Sequence, residues 1–113
     1  MQYPVLIGFD AVEEGMIEQA LDGLHLAGYD LGLFQELIKV DMPKGYRAMS
    51  LDDGAAVGEE AFESPEWLIH VLEEELLHLL QKAKGLTQEF GPGTVLELEL
   101  DVNDTRKFPP PNR

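Results

Sequence analysis

The chain has 113 residues, 44% of them hydrophobic and 27% charged, with no cysteine and a formal net charge of −14 from 22 acidic and 8 basic residues. That length and balance describe one folded domain able to bury roughly two-thirds of its unfolded surface. The missing cysteines exclude a disulfide framework, a thiolate metal site and a cysteine nucleophile. The negative charge argues against nucleic acid or an anionic membrane as a partner, and leaves cations and basic proteins open. The acids are spread through folded-looking segments, so a solubilising surface is the simplest account of them, with DNA mimicry as its rival. No apolar run approaches the about 18 residues of a membrane span and no signal peptide is visible, which makes the cytoplasm the expected location.

Pro4-Val5-Leu6-Ile7-Gly8-Phe9 is a short apolar run that reads as a first strand or a packed arm. Asp10 is the candidate N-cap of a helix over 11–23, with Val12, Met16, Ile17, Ala20 and Leu21 on one side and Glu13, Glu14, Glu18 and Asp22 on the other. Gly23 and Gly28 bracket Leu24-His25-Leu26-Ala27, so a break is expected there, with His25 at a helix end or on the surface. A second helix is predicted over 29–37, capped by Asp30, with Leu31, Leu33, Phe34 and Leu37 inward. Ile38-Lys39-Val40-Asp41-Met42 then alternates as a strand, and Pro43-Lys44-Gly45 turns. Residues 46–51 return as a strand, Asp52-Asp53-Gly54 turns again, and Ala55-Ala56-Val57-Gly58 makes a third strand. The small residues of that last piece suit either an ordinary hairpin or an edge strand that another backbone can approach.

The clearest element is a helix over 65–84. Ser64 as N-cap, Pro65 at the first helical position and Glu66 in the first turn are start signals. Lys82 and Lys84 followed by Gly85 are stop signals. Leu68, Val71, Leu72, Leu76, Leu79, Leu80 and Ala83 keep a spacing of three and four. His70, Glu74 and His78 recur every four residues and therefore share a face, with Glu75 beside them. Such a row is either a ligand stripe for an ion or a solvated acidic face with two incidental histidines. After the Gly-rich loop 85–93, residues 94–103 alternate as a strand would, yet Thr94 also suits a helix cap, with Glu97 and Asp101 on one face. The tail 108–113, with Pro109-Pro110-Pro111, is extended polyproline-type chain rather than helix or central strand.

Glu74-Glu75-Leu76-Leu77-His78 resembles the zincin metallopeptidase motif His-Glu-x-x-His, with Glu74 in place of the first His. The stretch from about Ile38 to Asp101, including Ala61-Phe62-Glu63-Ser64-Pro65-Glu66 before the motif helix, is similar to minimal zincin-like domains of the glutamate-ligand type found in bacterial toxin and phage proteins. The resemblance implies zinc bound by Glu74, His78 and a third ligand about twenty residues on. Glu97 lies 19 residues after His78 and Glu99 lies 21 after. His70 stands one turn before Glu74 as a substitute for the absent histidine. Glu75 would be the catalytic base for a zinc-bound water whose pKa the metal lowers towards about 7. A ligand set with one histidine and two carboxylates makes a weaker Lewis acid and selects less for zinc.

The resulting expectation is an α+β, zincin-like domain over 1–107 with N-terminal helices, a small three-stranded sheet, the motif helix 65–84, a C-terminal Glu-bearing element and a Pro-rich tail over 108–113. Its expected function is metal binding, with peptide hydrolysis as the active form. The alternative is a catalytically degenerate fold, or an acidic module, that binds a peptide or protein partner. Glu75-x-x-His78 and Asp22-x-x-His25 also echo the Glu-x-x-His of di-iron bundles, which need four long helices, and the expected central strands argue against that architecture. Ser50 and Ser64 have no nucleophile context, and Gly91-Pro92-Gly93 is too short for a phosphate cradle.

Overall fold

The computed structural model describes residues 3–83 and 106–111. In chain order its elements are β1 (Val5–Ile7), α1 (Ala11–Leu26), β2 (Glu36–Lys39), β3 (Ala48–Ser50), β4 (Gly54–Val57) and α2 (Pro65–Ala83), with single 3-10 turns at Leu31–Leu33 and Glu59–Phe62. The small α+β architecture agrees with the sequence reading.

The start of α1 follows from Asp10. Its carboxylate accepts the Glu13 N–H at 2.8 Å, while the Glu13 side chain accepts the Asp10 N–H at 3.0 Å, a reciprocal capping box. The helix does not break at Gly23, as the glycine pattern suggested. A Cβ at Gly23 would lie 2.8 Å from Cδ1 of Ile69, so the glycine is where α1 approaches α2. The stop comes at Leu26, and Gly28 takes a φ of +101°, a left-handed conformation that glycine adopts without strain.

The helix expected over 29–37 is not formed. Asp30 does cap, accepting the Gly32 N–H at 2.9 Å, but it caps only the turn Leu31–Leu33. From Gln35 onward the backbone is taken by the sheet, where β2 pairs in parallel with both β1 and β4. Sheet pairing overrides the helical spacing of Leu31, Phe34 and Leu37, all of which still point inward.

Among the described residues the sheet has four strands, not three, in the order β1-β2-β4-β3, with only β3 antiparallel to its neighbour. The apolar run at Val5–Ile7 supplies the extra strand. β4 is interior rather than an edge. Its small residues serve the sheet itself: a Cβ at Gly54 would fall 1.8 Å from the Glu36 carbonyl oxygen. The edge beside α2 is β3.

Both helices lie on one face of the sheet, giving two layers around one core. Ile17, Leu21 and Leu24 of α1 meet Leu68, Leu72 and Leu76 of α2 over Leu37 and Val57, with no exposed surface on any of them. α2 begins as the sequence dictates, with Ser64 Oγ accepting the Trp67 N–H at 3.1 Å. Phe108 packs against the same core, so the chain next to the proline run is docked. Among the described residues no helix is long and apolar enough to cross a membrane.

Candidate functional site

Each helical residue turns about 100° from the last, so the consecutive glutamates of α2 face three environments. Glu73 points to the junction of both helices with the C-terminal segment and is fully buried. Its Oε2 accepts the Tyr29 hydroxyl at 2.7 Å and the Lys107 N–H at 2.6 Å, and its Oε1 accepts the Phe108 N–H at 3.0 Å. Three donors thus satisfy a carboxylate that burial alone would strongly disfavour. Burial, and then donation to Glu73, raise the pKa of Tyr29 well above the ordinary tyrosine value. Lys107 Nζ donates to the Ala27 carbonyl at 2.6 Å, at the negative end of the α1 dipole.

Glu74 is partly exposed, and its Oε1 accepts from Arg106 Nη2 at 3.2 Å. One turn earlier, His70 is buried with Nδ1 2.9 Å from the Phe108 carbonyl, an arrangement in which Nδ1–H donates. Arg106 Nη1 lies 2.8 Å from Nδ1 and 3.0 Å from Nε2, so the guanidinium is set against the imidazole ring. One guanidinium therefore binds both His70 and Glu74. Glu75 is buried, and His78 lies further along, with Nδ1 3.0 Å from Gln81 Oε1.

His70, Glu74 and Glu75 form one wall of a cleft of about 420 Å³ between α2 and the approach to β3. Tyr46 and Arg47 form the opposite wall, and the Arg47 guanidinium sits 3.8 Å from the centre of the Trp67 ring while pairing with Glu63 at 3.1 Å. Beside the cleft runs the edge of β3. Gly58 N–H donates to the Arg47 carbonyl and Leu51 N–H to the Gly54 carbonyl, so the odd-numbered residues face β4. Ala48 and Ser50 therefore turn their backbone N–H and C=O groups away from β4, to an edge that no other described strand pairs.

The expected zinc ligands can be tested against this geometry. His70 and His78 are eight residues apart, about 12 Å along the helix axis, whereas zinc–nitrogen bonds are about 2 Å, so both cannot hold one ion. Among the described residues no three His, Asp or Glu side chains gather into a metal-holding group. Arg106 sets a permanent positive charge against two of the candidate ligands, His70 and Glu74. The described donors do not by themselves make a zinc site. Glu97 and Glu99, the implied third ligands, lie outside the described residues, as does the whole of 94–103.

Sequence reasoning missed Glu73, Tyr29, Arg106 and Lys107. For Glu73 a signal existed: it stands four residues after Ile69 and three and four before Leu76 and Leu77, a charge inside the apolar stripe. Nothing local marks Arg106 or Tyr29, which meet α2 only through the tertiary fold. The chain matches no family model, no curated protein and no solved structure.

Proposed function

We propose that this chain is a catalytically degenerate zincin-like module whose cleft takes an extended segment of a protein partner along the edge of β3. The observation that carries the reading is Arg106, which binds His70 and Glu74 and so supplies from within the chain the positive charge that a metal would bring. Ala48 and Ser50 offer the backbone pairing that strand addition needs. The stacked Trp67 and Arg47 make a flat wall for a side chain of the segment.

Two experiments test this. Calorimetric titration of zinc into untagged protein should show no tight stoichiometric binding, and zinc should leave the melting temperature unchanged. One equivalent bound tightly, and lost in Glu74→Ala and His78→Ala, would replace the reading with a metallopeptidase, and Glu75→Gln would then abolish its peptide hydrolysis. Peptides selected from a random library should bind the wild type and lose binding in Ala48→Pro. That substitution deletes an outward N–H and spares the ladder to β4. Selected peptides that bind Ala48→Pro equally well would remove the β3 edge from the proposal.

A further inference from the structure

The sheet has a second face, away from both helices. Leu37, Ala55 and Val57 enter the core, so the residues that alternate with them point the other way. The register places Ile7 opposite Ile38, Ile38 opposite Ala56, and Ala56 opposite Met49, an unbroken apolar row across all four strands. Val5 and Glu36 form the next row, which ends at Gly54. Val5 is 63% exposed, Met49 56% and Ile7 42%, while Ile38 is half-buried and Ala56 is buried at the centre of the row.

Two physical arguments say that this face is made to be covered. β1, β2 and β4 are parallel, and parallel strands occur almost only in sheets packed on both sides. Their sequences Val5-Leu6-Ile7, Leu37-Ile38 and Ala55-Ala56-Val57 are continuous apolar runs, the pattern of strands buried on both faces. An amphipathic surface strand would have placed polar residues at Val5, Ile7, Ile38 and Met49.

Charge selects the occupant. The one ionisable side chain among the outward strand positions is Glu36, and exposed Asp41 and Asp53 stand at the strand ends. Among the described residues Lys39, Arg47, Lys82 and Arg106 are paired with carboxylates, and none of them is an outward strand position. A second copy would bring Glu36 towards Glu36 between two chains of charge −14. We infer that the outer sheet face is a docking surface for an amphipathic helix of a partner protein, with an aliphatic stripe laid across Ile7, Ile38 and Met49 and flanking lysines or arginines facing Glu36. This surface is separate from the cleft and does not depend on what the cleft binds.

The test is a titration of the isotope-labelled full chain with a synthetic amphipathic helix bearing a leucine stripe flanked by lysines, followed by amide chemical shifts. Saturable shifts at Val5, Ile7, Ile38 and Met49 are expected, with affinity reduced about tenfold in Ile7→Lys and in Met49→Lys, a loss typical of a central apolar contact. Val12→Lys, on exposed α1, should bind as the wild type does, and circular dichroism should show all three variants folded. Shifts confined to Tyr46, Trp67 and His70 would assign the binding to the cleft and overturn the inference. So would equal binding of the same peptide with glutamates for lysines, or absence of saturable binding. Sedimentation showing a wild-type dimer that Met49→Lys dissociates would also overturn it, by making a second copy the occupant.

Discussion

In α1 and the sheet, the side chains with no exposed surface are aliphatic, Ile17, Leu21, Leu24, Leu37, Ala55 and Val57, and the buried charge there is Glu13, paired with Lys39 near the surface. In α2, Leu68, Leu72 and Leu76 share that burial with Glu73, and His70, Glu75 and Gln81 are nearly as deep. The first region is held by non-directional burial, worth about 1.5–3 kcal/mol per large aliphatic side chain. The second contains charges and polar groups that are tolerable only when their partners are in place. Local departures from good patterning concentrate where a chain does more than fold, and here His70 and Glu75 line the cleft while Glu73 ties α2 to residues 106–108. Apolar packing can shift a little and survive, whereas the junction of α2 with residues 106–108 has one arrangement that satisfies it.

The largest expected effect tests that distinction. Glu73→Ala strands three donors, the Tyr29 hydroxyl and the N–H groups of Lys107 and Phe108, in a buried site, and should cost about 4 kcal/mol in chemical denaturation. Leu37→Ala, at the centre of the sheet, should cost about 3 kcal/mol through lost transfer energy and a cavity. A Glu73→Ala cost well below that of Leu37→Ala would break the comparison, because it would mean that the polar junction relaxes as easily as the core. Amide exchange sharpens it: in Glu73→Ala the N–H groups of Lys107 and Phe108 should lose protection, while those of β2 keep theirs in proportion to the remaining global stability.

The two regions also differ in how far sequence reveals them. α2 was legible because cap, first-turn charge and apolar period agree from Ser64 to Ala83. The strands of the β3–β4 hairpin were legible from Pro43-Lys44-Gly45 and Asp52-Asp53-Gly54, although which of them forms the edge was not, since strand order is a tertiary property. Two errors share one cause. Gly23 reads as a stop but is a point of contact with Ile69, and Leu31, Phe34 and Leu37 read as a helix but are one turn followed by a strand. In each case a non-local partner decided. The same holds for the cleft. His70, Glu74 and His78 were found from spacing and Glu75 from the zincin resemblance, but the surroundings of His70 and Glu74 depend on Arg106, 36 residues after His70, which no pattern within α2 anticipates.

Tyr29→Phe is the intermediate test. It removes one of the three donors to Glu73 and keeps the ring, so it should cost about 1–2 kcal/mol at neutral pH. It should also change the alkaline limb. The unfolded chain releases the Tyr29 proton near the ordinary value of 10.0, and the folded chain releases it at higher pH because of burial and the bond to Glu73. The stabilisation is therefore complete below about pH 10 and is lost as pH rises towards the folded-state pKa. Lys39, raised by its hydrogen bonds to Glu13 and Glu59, adds to the same limb in both proteins. The expected result is a shallower fall in stability above pH 10 in Tyr29→Phe than in the wild type. Parallel curves would remove Tyr29 from the junction's energetics.

The smallest effect expected lies at the other end of α1. Asp10→Ala opens the capping box, leaving the Glu13 N–H without its acceptor, and should cost about 1 kcal/mol, or about 3–6 °C in Tm. Asp10→Asn should keep most of that, since an amide oxygen caps nearly as well. The value of this variant lies in combination. α1 has 16 residues, so its cap is about 24 Å from the end that carries Ala27 and Tyr29. Sites so far apart should be additive, and Asp10→Ala with Glu73→Ala should cost the sum of the two within about 0.5 kcal/mol. A larger discrepancy would mean that α1 transmits the state of the polar junction along its length. In that case the two regions would be one cooperative unit despite their different means of burial.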